Sequence, residues 1–291
     1  MSQTKNTNQQ ANNKILVIGA NGTVGSHLVK LLQERGAEVL SATSRKEEAT
    51  KPGRVYVNLV TGEGVHAAFS AADRAFLLSP PGFADHYSML APLIQASKRA
   101  GLKKVVLMTA MGANAADSTP FRRAEIELEN SGITYNIIRP NWFMQNFATF
   151  WVQGINESRR IALPAGEAAT SFIDARDIAA VAAELLISDA LANRDFDLTG
   201  IESLTHRDIA AVLSNTLGER VDYQNIEPTI LRDGLVAAGF PGDYVGFLIM
   251  IFGFLREGYN ARQTNAVQDI TGQRPRTFKQ FAAEHRTVWK H

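Results

Sequence analysis

The chain holds 291 residues, 45% of them hydrophobic, enough for one large or two modest domains with a true core. With 30 Lys and Arg against 29 Asp and Glu its net charge is +1, so no field gathers nucleic acid or an anionic membrane, and small, weakly charged ligands fit better. The absence of cysteine removes disulfides, thiolate catalysis and sulfur-ligated metals together and makes a cytoplasmic location the expectation.

Residues 1–12 are polar, rich in Asn and Gln and without the apolar stretch of a secretory signal, and are expected to form a disordered tail. From Lys14 an apolar run, Ile15-Leu16-Val17-Ile18, breaks into Gly19, Gly22 and Gly25. It then resumes at helical spacing through Leu28, Val29, Leu31 and Leu32. That is a strand, a tight turn and a helix start. Glycine tolerates positive backbone angles and close approach of a ligand, while the first helical turn offers unpaired N–H groups and a partial positive charge. The unit reads as a dinucleotide site, with Gly19, Asn21, Gly22, Thr23, Val24 and Gly25 as candidate contacts.

A second strand at 37–43 ends where an acidic residue would receive the ribose 2′-hydroxyl of NAD. Ser44-Arg45-Lys46 stands there instead. A guanidinium beside a hydroxyl suits a 2′-phosphate, so Ser44 and Arg45 point to NADP(H). Residues 54–59 read as strand three, with Asn58 beside an adenine or else an ordinary strand end. Residues 65–72 form a short helix, and strand four at 74–79 is closed by Pro80-Pro81-Gly82. His86 and Tyr87 follow that loop; either could offer a proton, but the expectation is a solvated helix start.

Residues 85–100 carry helical spacing at Met89, Leu90, Leu93 and Ile94; strands five and six fall at 104–109 and 134–139, and a seventh at 195–199 returns to the sheet. The alternation gives an α/β class: a Rossmann-type doubly wound parallel sheet. Ligands then lie outside the carboxyl strand ends, which adds Ser79, Pro80, Thr109 and Pro140 to the cofactor contacts. Asp174 and Asp177 precede a helix at 178–187, and Thr205 with Asp208 precedes one at 209–217, so both pairs read as caps. The six histidines lack ligand spacing and no metal is expected. The apolar segment 244–255 is short of the roughly 20 residues that span a bilayer. It reads as a buried helix, either walling an apolar pocket or packing a domain or dimer, and a homodimer is left open. The expected division is a nucleotide-binding domain at 13–203, with an excursion near 153–169, and a smaller, mostly helical substrate domain at 204–291.

Gly19-x-x-Gly22-x-x-Gly25, Arg45, Ala100-Gly101-Leu102-Lys103-Lys104-Val105-Val106, Ile138-Arg139-Pro140-Asn141-Trp142-Phe143-Met144-Gln145-Asn146 and Phe172-Ile173-Asp174-Ala175-Arg176-Asp177-Ile178-Ala179 together resemble the NmrA-like atypical short-chain dehydrogenases. The resemblance runs from about Lys14 to the C-terminus, and residues 238–241 and 271–289 are similar to the festuclavine dehydrogenase and triphenylmethane reductase branch. It implies an NADP-binding domain with a small substrate domain, the nicotinamide and substrate meeting in the cleft. It also implies that Thr109 is the hydroxyl near the nicotinamide, a weak catalytic candidate against a strand-terminal hydroxyl bonded to backbone.

The superfamily's Tyr-x-x-x-Lys pair is missing: the comparable segment is Phe121-Arg122-Arg123-Ala124-Glu125, and phenylalanine transfers no proton. Hydride transfer to an iminium, a cationic dye or a quinoid carbon needs no simultaneous protonation of an oxyanion, so positioning carries such a reaction. Phe83, Tyr87, Phe121, Trp142, Phe143 and Phe147, with the 240–254 segment, would wall a pocket for a small, flat, apolar or aromatic substrate, about half of them serving as plain core. Two functions fit: an NADPH-dependent reductase of an activated acceptor, or a non-catalytic NADP(H)-binding redox sensor that regulates a partner.

Overall fold

The computed structural model describes residues 13–289, so the expected tail at 1–12 lies outside the described residues. Its main sheet takes β1 (Lys14–Val17), β2 (Glu38–Thr43), β3 (Arg54–Tyr56), β4 (Arg74–Leu78), β5 (Lys104–Met108) and β6 (Thr134–Pro140). After β7 (Arg160–Leu163) leaves it, β8 (Arg194–Leu198) completes the edge beside β6. The order is β3-β2-β1-β4-β5-β6-β8 with every pairing parallel. This is the Rossmann-type doubly wound sheet.

Side chains alternate along β1, so Ile15 and Val17 enter one apolar layer and Leu16 and Ile18 the other. The first layer is covered by α1 (Gly25–Glu34), and the second by α2 (Val65–Ser70), α3 (His86–Ala100) and α4 (Pro120–Glu129). A third cluster lies off the sheet. It gathers Met144, Phe147, Ile155 of α5 (Val152–Ser158), Ile161 and Leu163 of β7, and Phe172. The chain then returns to the first layer through α6 (Ala175–Ile187), and comes back with Leu213 of α7 (His206–Leu217) and with β9 (Asp222–Asn225), which pairs in parallel with β7. The hairpin α8 (Pro228–Ala237) and α9 (Gly242–Arg256) follows. Then α10 (Ala266–Thr271) rejoins the first layer, and α11 (Phe278–Glu284) with Trp289 closes the third.

Three expectations change. Strand three stops at Tyr56, because the Asn58 carboxamide accepts the Val60 and Thr61 amides at 2.9 and 3.1 Å and bends the chain. The apolar segment at 244–255 is helical but not a buried helix: Tyr244, Val245, Phe252 and Leu255 are covered, while Met250 and Phe254 remain 50% and 48% exposed. Its apolar residues surround the whole helix, so some must face solvent. Of the two acids expected as caps, Asp174 caps α6, accepting Arg176 N–H at 2.8 Å, whereas Asp177 lies within the first turn of the helix and turns to accept Arg276 N–H at 2.8 Å. Thr205 and Asp208 form a reciprocal capping box on α7.

Candidate active site

The glycine turn builds an anion seat at the end of β1. Gly19 has φ +71°, and its carbonyl accepts Gly22 N–H at 2.8 Å; the Gly22 carbonyl then accepts Ser26 N–H at 3.0 Å and leads into α1. A Cβ on Gly25 would lie 2.1 Å from the Gly19 carbonyl oxygen, so only glycine lets α1 start this close to the strand end. Val24 gives no side-chain cap, the first turn holds no acid, and Asn21, Gly22 and Thr23 are exposed. The first amides of α1 therefore face outward with the positive end of the helix dipole, which fits a pyrophosphate.

Beside this turn two guanidinium groups share one carboxylate. Arg45, 60% exposed, pairs with Glu48 at 3.3 Å, and Arg54 pairs with the other Glu48 oxygen while donating to Asn21 Oδ1 at 3.3 Å. Sequence reasoning found Arg45 and missed Arg54, which reaches the turn because parallel register sets it opposite Ser41 of β2. Ser44 is exposed beside Arg45. Lys46 is drawn away to Glu63 at 2.6 Å, and Asn58 spends its carboxamide oxygen on its own loop. The pair of guanidiniums fits the 2′-phosphate of an NADP-type dinucleotide.

At the carboxyl end of β5, Thr109 donates to Glu125 Oε1 at 2.7 Å. Glu125 is fully buried and accepts both Nε and Nη2 of Arg139, at 2.8 and 2.7 Å, and Nη1 of Arg122 at 3.1 Å. Arg139 reaches on to Asp195. The Thr109 hydroxyl is thus committed to a carboxylate, rather than free as a catalytic hydroxyl or bonded to backbone. Pro140 ends β6 buried, its carbonyl accepting Met111 N–H at 3.0 Å.

The start of α3 is where the structure departs most from the sequence reading. His86 is not solvated: it is 6% exposed and lies flat on Phe121, with ring centroids 3.9 Å apart and planes 8° apart. Phe247 of α9 meets it at 5.2 Å and 72°. Asp85 caps α3 from the exposed side, so the helix starts at the surface while its first side chain turns in. Nδ1 is 2.9 Å from Ser79 Oγ, and Nε2 has no hydrogen-bond partner among the described residues. Burial lowers the imidazole pKa to about 4, so the ring is neutral at pH 7. The neighbouring Ser79 and Pro80 are half-buried at the end of β4.

Of the expected pocket aromatics, Trp142 meets Phe252 of α9 at 5.0 Å, while Phe121 stacks on His86, which in turn meets Phe247 of α9. Phe83 is half-buried in the loop that leads to α3. The other three are packed in the protein's layers and seams, in keeping with the expectation that about half of the six serve as core. Tyr87 lies in the α3–α4 seam with the Arg123 guanidinium 3.9 Å from its ring centroid. Phe143 bridges Ile173 and packs against the opposite layer of the sheet. Phe147 is wholly buried in the third cluster, edge-on to Trp151, Phe172 and Phe278. Aromatics are as useful for packing as for binding, and spacing alone does not separate the two.

A polar recess of about 500 Å³ at the β8 edge is lined by the Arg139–Asp195 and Arg262–Asp197 pairs and shares no residue with the glycine turn or the His86 cluster. Among the described residues no helix is long and apolar enough to cross a membrane.

A parallel Rossmann-type sheet with an open glycine turn and a paired arginine seat defines a dinucleotide-binding protein. The chain belongs to the NmrA-like family, whose model matches residues 11–282. It is 31% identical to the uncharacterized oxidoreductase YesF of Bacillus subtilis, over 95% of this chain and 96% of that one. It is also 31% identical to the NAD(P)H azoreductase of Xenophilus azovorans, over 93% and 97%. Its fold is that of the Citrobacter sp. triphenylmethane reductase solved with NADP(H), with a TM-score of 0.80 at 18% identity over 94% and 99% of the two chains.

Proposed function

We propose that the chain is an NADPH-dependent reductase that delivers hydride to an activated apolar or aromatic acceptor, such as an iminium, a quinoid or a conjugated carbon, without a tyrosine–lysine acid pair. It is an oxidoreductase of the NmrA-like family that uses NADP(H). The observation that supports the finer reading lies on α4: Phe121, which the resemblance compares with the superfamily's tyrosine, is stacked on His86, and Glu125, four residues on, is locked by Arg139, Arg122 and Thr109. Neither side chain can move a proton to a substrate.

When bound, the dinucleotide supplies the hydride. The α1 amides and the turn at Gly19, Asn21, Gly22, Thr23, Val24 and Gly25 would hold its pyrophosphate, and Arg45 with Arg54 would hold the 2′-phosphate. The sheet with its two helical layers, α10 included, forms the nucleotide half, and the third cluster with α8 and α9 forms the substrate half. This redraws the expected bounds: Met144, Phe147 and Phe172 lie outside 153–169 yet join the third cluster, and Val267 lies after 204 yet joins the first layer. Phe121, Trp142 and α9 keep water from a flat acceptor and fix its plane. Ser79, Pro80, Thr109 and Pro140 end the strands beneath it.

The test is the loss of NADPH absorbance, with NADH in parallel, against cyclic iminium ions, quinones, triarylmethane dyes and simple ketones. The expected result is turnover of the activated acceptors and none of the ketones. Tight cofactor binding without turnover of any acceptor would instead favour the redox sensor.

A further inference from the structure

His86 presents a ring nitrogen, Nε2, that the fold leaves without a partner among the described residues. Its Nδ1 faces Ser79 Oγ at 2.9 Å, whereas the same hydroxyl is 3.5 Å from the Pro80 carbonyl, the limit of a hydrogen bond. The Ser79 hydroxyl has no better acceptor than Nδ1; donating there, it leaves the ring hydrogen on Nε2. That N–H is buried without an acceptor among the described residues, at the meeting point of β4, α4 and α9. A buried polar ring atom with no partner, in either tautomer, is costly in a fold that could have set a phenylalanine on the Phe121 stack. The cover over it is shallowly rooted. Phe247 is half-buried, α9 leaves Met250 and Phe254 about half exposed, and the adjoining α8 buries no residue.

We propose that His86 binds the substrate through its Nε2–H, taking the carbonyl oxygen of a flat quinone or enone that displaces Phe247 from the imidazole. This rests on the reductase reading and narrows it from activated acceptors in general to those with an oxygen conjugated to the hydride-accepting carbon. A neutral imidazole donor stabilises charge that moves onto that oxygen without itself losing the proton. The stack on Phe121 and the Ser79 contact hold the ring's orientation, so the donor is in place before the acceptor arrives. His206 has two unpartnered ring nitrogens but sits within the aromatic third cluster among Phe147, Trp151, Phe172 and Tyr223, apart from the glycine turn.

The experiment is isothermal titration of menadione and of the malachite green cation into the NADP⁺-loaded full chain, for wild type, His86→Phe, His86→Gln and Ser79→Ala. Malachite green offers no carbonyl oxygen and serves as the internal control. The expected result is that His86→Phe weakens menadione about tenfold or more while malachite green and NADP⁺ change by less than about twofold. His86→Gln, which keeps a donor, recovers most of the loss, and Ser79→Ala, which frees the tautomer, shows an intermediate loss. Equal weakening of both probes, unchanged menadione affinity, or no binding of menadione by the wild type would each overturn the assignment. The two readings fail separately. The selective binding loss with no turnover of any acceptor by wild type would remove the reductase and leave the His86 site, whereas turnover without the selective loss would do the reverse.

Discussion

Arg45, just past β2, and Arg54, at the start of β3, both meet Glu48, so the charge offered to a 2′-phosphate is partly neutralised until the ligand competes for it. Charge-assisted bonds of this kind contribute about 1.5–3 kcal/mol. Arg45→Ala and Arg54→Ala are each expected to weaken NADPH by about tenfold or more and to leave NADH nearly unchanged, measured as dissociation constants in parallel. Equal losses for the two cofactors would remove the 2′-phosphate assignment. Deeper in, Glu125→Gln strips charge from a carboxylate that holds Arg139, which is 2% exposed. Breaking a buried pair from one side costs about 3–5 kcal/mol, expected as a large drop in the urea midpoint. Arg45 was legible because it follows directly on strand two. Arg54 needed the parallel register, and the burial of His86 depends on Phe247, which belongs to a helix far along the chain.

At the scale of elements, the glycine turn is the firmest prediction from sequence, since a buried strand, three glycines and an amphipathic helix agree on one local structure. Gly25→Ala places a methyl 2.1 Å from a backbone oxygen, and neither atom lies on a flexible side chain. It is expected to abolish measurable NADPH binding and to lower the melting temperature together, by calorimetry; normal affinity would show that the turn does not seat the cofactor. The helices at α3, α6 and α7 were readable from spacing and caps, because Asp85, Asp174 and Thr205 mark their starts chemically. The face that α9 buries was not readable, because apolar residues all around a helix carry no direction. Aromatics sorted the same way: Phe147 and Trp142 are near neighbours in sequence, yet only the contacts with α11 and α9 separate the wholly buried Phe147 from the half-buried Trp142.

For the whole molecule, two buried neutral histidines make stability depend on pH. Burial lowers His206 and His86 from 6.5 to about 4, so the unfolded chain binds protons more readily than the folded one between those values. Their contribution is complete above pH 6.5, drains away as pH falls toward 4, and is level below that. His206 alone is expected to account for about 3 kcal/mol of the fall. Urea unfolding at pH 7 and pH 4.5 should show a shallower loss in His206→Phe than in wild type; equal slopes would show that the buried ring does not control it.

The third cluster is not a separate tail-end module. The chain enters it after Pro140, leaves at Ile173, enters again at Leu204, leaves at Ala266 and enters a last time at Phe278, with β7 paired to β9 across one of these excursions. The two halves are laced together like a seam, and no single scissor cut parts them. Ending the chain at 203 would strip Phe147 and Phe172 of their partners Phe278 and His206, and is expected to give insoluble protein rather than a free nucleotide-binding unit. Grafting a relative's off-sheet part onto this sheet would likewise mean matching a splice at every passage, so the third cluster is more readily altered by changing side chains in place than by exchanging blocks.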